Sequence, residues 1–131
     1  MIELEVISPE RQILKLSCAS VTLPGREGEL EVLEGHTPTL IALKTGVLTI
    51  KGAQWNFDRM MVSGGFAEID DKHVRVLAEV AATPDEIDAK SEEELIAKIK
   101  EKMSKLKEAD DKEFRQLQAS IERSMVKIQI L

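Results

Sequence analysis

Few side chains in this sequence could act as nucleophiles, general bases or metal ligands. His36 and His73 are its two histidines and Cys18 its one cysteine. Neither histidine stands in an HxxxH or HExxH spacing, so each reads as a turn or surface residue. Cys18 lies between apolar stretches, has no partner for an internal disulfide and reads as a small core residue. Serines occur without a GxSxG elbow, and Gly25-Arg26-Glu27-Gly28 lacks the Lys-Ser/Thr ending of a phosphate loop. That tetrapeptide is better read as a tight hairpin connection. Glu27, Glu29, Glu31 and Glu34 are dense enough to suggest acid–base work. In an alternating strand, however, the first three simply share one wet face. No catalytic residue and no metal site is expected. A hydrolase or metal protein would need His36, His73 and nearby carboxylates to converge in one pocket.

The elements that position these residues fall into two regions. All seven glycines and four prolines lie at or before Pro84, and the 47 residues after it contain neither. Turns therefore stop there and continuous helix begins. Before that point Ile2, Leu4 and Val6 alternate with Glu3 and Glu5. Similar segments follow at 13–16, 20–23, 30–33, 47–51, 54–57, 60–63, 66–69 and 74–78, separated by Gly, Pro and Asp turns. About nine closely spaced strands predict an antiparallel β-sandwich or flattened barrel.

Beyond it, Thr83, Pro84 and Glu86 form a capping-box start, and Ser91 with Glu94 offers a second one. Leu95, Ile99, Met103 and Leu106 then recur along one helix face, with Lys102, Lys105 and Lys107 suited to its C-terminal dipole. Asp110 with Glu113 reads as a fresh start. Phe114, Leu117, Ile121, Met125 and Ile128 continue the pattern. Two such helices make an αα-hairpin. The fold class is thus α+β: a sandwich over residues 1–83 and a hairpin over 84–131. With 22 of the last 48 residues charged, the hairpin has little apolar area to fix it in place and reads as a movable element.

Composition narrows the partners. The 131-residue chain carries a formal net charge of −6, 43% hydrophobic residues and only four aromatics. Overall repulsion of phosphate and the lack of a stacking platform argue against nucleic acid. No apolar run is long enough for a membrane span. The N-terminal stretch lacks the layout of a signal peptide, so a reducing aqueous compartment is expected.

The passage from Leu23 to Pro38, LPGREGELEVLEGHTP, is followed by Leu43-Lys44-Thr45-Gly46-Val47-Leu48, Ser63-Gly64-Gly65-Phe66 and Val76-Leu77-Ala78. In this order these segments resemble the epsilon subunits of F-type ATP synthases, over essentially the whole chain. The resemblance implies a ten-stranded sandwich followed by two helices in a non-catalytic rotor subunit without cofactors. It further implies that the sandwich binds the gamma subunit and rests on the c-ring loops, while the hairpin, extended along gamma, blocks ATP hydrolysis in the head. The place expected is peripheral, on the cytoplasmic face of the bacterial inner (plasma) membrane, a plastid thylakoid being the second choice. A stand-alone sandwich adaptor with a coiled-coil-forming hairpin would share the architecture but leave the passage unexplained.

By residue, Glu29 and His36 match the family's EGE and GH elements, which imply contact with the c-ring loops by charge-assisted hydrogen bonds. Glu31 and Glu34 stand where the family often has Gly and usually has Pro. Their added negative charge should strengthen attraction to basic loop residues and make it salt-sensitive. Arg115, Arg123 and Lys127 are the implied inhibitory cations, facing an acidic segment of the catalytic beta subunit beside alpha. Some relatives bind ATP through (I/L)DxxRA. Here Ile87-Asp88-Ala89-Lys90-Ser91-Glu92 keeps Asp88 as the partial match but loses the Arg and the Ala. Glu92 would repel a triphosphate, so ATP is not expected as a ligand.

Overall fold

The computed structural model describes residues 1–106 and 111–131. Ten strands form two five-stranded sheets: β1 (Ile2–Ile7), β2 (Gln12–Cys18), β3 (Ser20–Gly25), β4 (Gly28–Leu33), β5 (Thr39–Ala42), β6 (Gly46–Lys51), β7 (Arg59–Ser63), β8 (Phe66–Ile69), β9 (His73–Leu77) and β10 (Val80–Ala82). One sheet runs β2-β1-β9-β8-β5 and the other β10-β7-β6-β3-β4. Helices α1 (Ala89–Ser104) and α2 (Asp111–Gln129) follow. Every pairing is antiparallel except β1 with β9. That exception is open to strands so far apart in sequence, because parallel neighbours need a long connection.

The alternation of apolar and polar residues becomes the two faces of each sheet. Ile2, Leu4 and Val6 face inward with Val74, Val76, Ala67 and Ile69 from one sheet. Val21, Leu23, Val32, Leu48, Ile50, Met60 and Val62 face them from the other. Cys18 is fully buried in this core, and burial raises its thiol pKa, with Glu3 adding to the effect. The Gly25-to-Gly28 segment is the tight β3–β4 connection expected of it, with Gly25 paired to Gly28 around Arg26 and Glu27. Glu27 therefore sits in the turn, while Glu29 and Glu31 belong to the strand. Gly65, between β7 and β8, has a φ of +86°, and a Cβ there would lie 1.8 Å from the Leu77 carbonyl oxygen. No other residue fits that close crossing of two chains.

Three local expectations change. Residues 54–57 form no strand: Trp55 and Phe57 meet edge to face, with centroids 5.6 Å apart, in a loop that the Ile50 N–H closes on the Asp58 carbonyl at 2.7 Å. Their alternation reflects a loop folded over the sandwich end, not a pleat. Two strands absent from the sequence reading are β5 and β10. The first carries its most exposed apolar residue, Leu40, on a free edge, and the second has only three residues, too few to show a period. The box at Thr83 is real, with the Thr83 N–H donating to Glu86 Oε1 at 3.1 Å. It starts only the 3-10 turn Pro84–Glu86. The α-helix begins after a second cap, Asp88, whose carboxylate accepts from the Lys90 and Ser91 N–H groups. Lys107 and Asp110 lie outside the described residues.

The hairpin seam also shifts. Ile99 and Ser124 are the buried positions of α1 and α2. Leu95 turns outward and Ile96 takes its place, so the seam runs 92, 96, 99, 103, 106 in heptad steps of four and three. Met125 is likewise 58% exposed, while the small Ser124 is the buried position beside it.

Candidate functional site

Two surfaces of the sandwich stand out among the described residues, an outer sheet face and an edge. On the outer face of the β2-β1-β9-β8-β5 sheet, register aligns Leu77 opposite both Ile7 and Phe66, with Ala42 beyond Phe66. Beside this apolar row, Lys15, Glu5, Arg75, Glu68 and Leu40 align in the same way. Arg75 Nε stands 4.0 Å from Glu5 Oε1. Phe66 is 53% exposed and Leu40 66% exposed. A strip of apolar residues flanked by alternating charge is the composition of a protein-docking surface.

The edge is β4, the last strand of its sheet, and β5 is the last strand of the other on the same side. An isolated bridge between Gly25 and Leu43, with the Arg26 N–H donating to the Ala42 carbonyl at 2.9 Å, ties the two sheets together there. Glu29, Glu31 and Leu33 point outward from β4. Glu29 lies at its turn end, whereas His36 follows its far end. At about 3.3 Å per strand residue, Glu29 and Leu33 are already about 13 Å apart. The structure therefore sets Glu29 and His36 along one edge without bringing them together, and only an extended partner reaches both.

The histidines are engaged locally. His36 Nδ1 lies 2.7 Å from the Thr37 carbonyl. His73 Nδ1 lies 3.2 Å from Asp70 Oδ1, and the N–H groups of Lys72 and His73 donate to the same oxygen. Those backbone bonds, chiefly, hold the Asp70 carboxyl below its ordinary pKa. Among the described residues no group of three His, Cys, Asp or Glu side chains is placed to hold a metal ion.

The outer face of the second sheet is where the hairpin rests. Met61, Ala82 and Ile130 form a small buried cluster, with Val47, Val80, Ile87 and Val126 packed around it. It is separate from the sandwich core. Strand β7 is consequently buried on both faces, the reason its sequence reads Met60-Met61-Val62 without alternation. Arg59 Nε donates to the Ile130 carbonyl at 2.9 Å, fastening the end of α2. The joint is tied as well: the Arg11 guanidinium bonds to Glu86. Burial works to raise the Glu86 pKa, but the Thr83 hydroxyl and N–H and the Arg11 charge outweigh it and hold the carboxyl below its ordinary value.

The three cations of α2 implied by the resemblance as inhibitory contacts differ in state. Arg115 is exposed. Arg123 is half-buried, with Nη2 donating to Ser120 Oγ at 3.1 Å. Lys127 Nζ donates to Glu92 Oε1 at 3.4 Å. Asp88 has its carboxylate turned to the α1 N-terminus at 3.0 and 3.4 Å, which occupies the one charged residue of the nucleotide motif that this sequence keeps. Arg59, Met61 and Ile130 were not singled out by the sequence reading, and Glu92 entered it only as a charge that would repel a triphosphate. The unbroken Met60–Val62 run and the heptad count through 92, 96 and 99 are the signals that could have found Met61 and the seam position of Glu92.

A family model described as "ATP synthase, Delta/Epsilon chain, beta-sandwich domain" matches residues 1–84. The chain is 43% identical over 84 residues to the ATP synthase epsilon chain of Sinorhizobium fredii, a match spanning 64% of this chain and 63% of that one. It is 31% identical over 129 residues to the ATP synthase epsilon chain of Geobacter sulfurreducens, spanning 98% and 92%. Among solved structures it resembles a chain of the Euglena gracilis mitochondrial ATP synthase (OSCP/F1/c-ring) at 26% identity and a TM-score of 0.75, covering 95% of this chain and 77% of that one.

Proposed function

This chain belongs to the epsilon subunits of the F-type ATP synthase family, and on that premise we propose that it is a non-catalytic central-stalk subunit. Its sandwich joins gamma to the c-ring, and its hairpin restrains ATP hydrolysis. The observation that carries this reading is the unequal attachment of the two parts. Seventeen buried residues knit the sandwich core, whereas three buried residues and one arginine hold α2 to it. A stiff platform suits torque transfer, and a small separate anchorage suits a two-state element.

In this reading the apolar strip around Phe66 and Leu77 is the gamma face, and the β4 edge from Glu29 toward His36 lies against the ring loops. An extended edge contact fits a ring, which presents a row of loops instead of a single one. Arg115 is open to a partner while the hairpin is docked. Arg123 and Lys127 become available to an acidic segment of the beta subunit once their own neighbours release them. ATP is assigned no site. No described helix is long and apolar enough to cross a membrane. The complex itself spans one, and this subunit sits peripherally at it, on the cytoplasmic face of a bacterial plasma membrane.

The test is ATPase activity of the gamma-containing head with full-length chain, with a chain ending at Thr83, and with none. Full-length chain lowers activity. The truncated chain still assembles and leaves activity near that of the bare head. Failure of the truncated chain to assemble overturns the division into platform and brake.

A further inference from the structure

Lys127 and Glu92 face each other where the seam meets the base of the hairpin. Their side chains are 24% and 14% exposed. Glu92 Oε1 accepts from Lys127, but Oε2 is buried and has no hydrogen-bond partner among the described residues. A carboxylate held at this depth with one oxygen unsatisfied depends on its cation; without it, the group would have to reach water by moving its helix. Lys127 depends less on Glu92, since a long stem lets an ammonium reach solvent from a half-buried position.

The position matters as much as the chemistry. Glu92 is in the first turn of α1, directly after the Asp88 cap and the Pro84–Glu86 turn that Arg11 fastens to the sandwich. Lys127 is in the last turn of α2, between Val126 and Ile130, which anchor that helix on the second sheet. The pair therefore binds the mobile end of the hairpin to its fixed end, and α2 cannot lift away without breaking it. An ammonium at 3.4 Å from Glu92 has its charge partly countered there and offers less to a carboxylate outside.

We propose that Glu92 is an internal stand-in for an acidic partner surface: it latches the docked hairpin by holding Lys127, and withholds that cation until the hairpin opens. This deepens the inhibitory reading above and rests on it. Arg123 and Lys127 are thereby unequal. Arg123 is stabilised within its own helix and travels with it, whereas Lys127 is released only when the base of the hairpin separates.

The test uses the full chain with E92Q, K127Q and the charge exchange E92K/K127E. Hairpin opening is read in the free chain from the alkylation rate of a cysteine placed at Ala82 (A82C), which α2 covers. Buried Cys18 serves as the internal control for global unfolding. Inhibition is read as ATPase activity of the reconstituted gamma-containing head.

E92Q should speed A82C alkylation about twofold to fivefold, the upper part of the range for a single ion pair near the surface, and strengthen inhibition. K127Q should speed alkylation more than E92Q, because it leaves Glu92 buried without a cation, yet weaken inhibition. The exchange should return alkylation toward the parent rate while inhibition stays weak, since residue 127 is now acidic. Alkylation of A82C at the parent rate in both single variants, with Cys18 protected, overturns the latch. Faster alkylation with unaltered inhibition overturns the inhibitory reading beneath it, and the separate readouts tell the two failures apart.

Discussion

Replacing Ile130 with alanine tests whether the hairpin is attached through one small apolar anchor. Ile130 is 2% exposed and packs with Met61 and Ala82 in a cluster distinct from the sandwich core. The substitution removes three carbons, at about 0.8 kcal/mol for each buried methylene, or about 2.4 kcal/mol of transfer free energy. The site borders an open cleft beside Trp55, Phe57 and Pro84, so the void can be taken up by water or by small shifts. The cavity contribution is therefore small, and the total falls at about 2–3 kcal/mol, the low end for such truncations. Because Arg59 bonds to the backbone carbonyl of residue 130, that hydrogen bond survives in the variant and the apolar anchor alone is probed. At a factor of ten per 1.4 kcal/mol, the docked state loses about 30- to 150-fold in population relative to the undocked one. The assay is the alkylation rate of a cysteine at Ala82 in the presence and absence of I130A. The rate should rise by that factor while Cys18, inside the sandwich, reacts no faster. Equal acceleration of both thiols would mean that hairpin and sandwich open as one unit. No acceleration would mean that the anchor lies elsewhere, and either result refutes the reasoning.

Two further outcomes follow from single side chains. The Glu86 carboxyl is held below its ordinary pKa of 4.5 by Thr83 and Arg11 against the opposing effect of burial. Its contribution is therefore present above that ordinary value and disappears as the pH falls through the lower, folded value. E86Q should therefore weaken hairpin docking at pH 7 to 8 and remove this part of the further loss below about pH 4.5, read from the fluorescence of Trp55, which lines one cleft with Ile130. On the β4 edge, E29K should weaken binding of the gamma-containing head to the membrane sector by about 5- to 30-fold, roughly 1–2 kcal/mol for reversing one interface charge. The loss should shrink as salt rises, with co-sedimentation at two ionic strengths as the check.

Much of the molecule is visible in one dimension because its signals are local. The Gly25–Gly28 connection, the core alternation of β1 and the end of glycine and proline at Pro84 each depend on residues close together in sequence. The passage from Leu23 to Pro38 carries the family resemblance in the same direct way. The misreadings share a cause. Residues 54–57 alternate like a strand, but among the described residues no strand pairs with them. β10 is a strand only because Ser63, Val62 and Met61 supply its register. Leu95 and Met125 fit a helical stripe by spacing, yet which of several overlapping stripes becomes the seam is settled by the opposing helix.

The sequence by itself determined that strands precede a glycine-free helical hairpin and which family it resembles. The tertiary structure alone decided that Glu29 and His36 lie along one edge without meeting, that Lys127 is held by Glu92, and that Arg59 and Ile130 fasten the hairpin. The physical reason is range. Hydrophobic period, turn chemistry and capping act over a few residues, whereas an ion pair 35 positions apart or a clasp 71 positions apart exists only after the sheets and helices have packed.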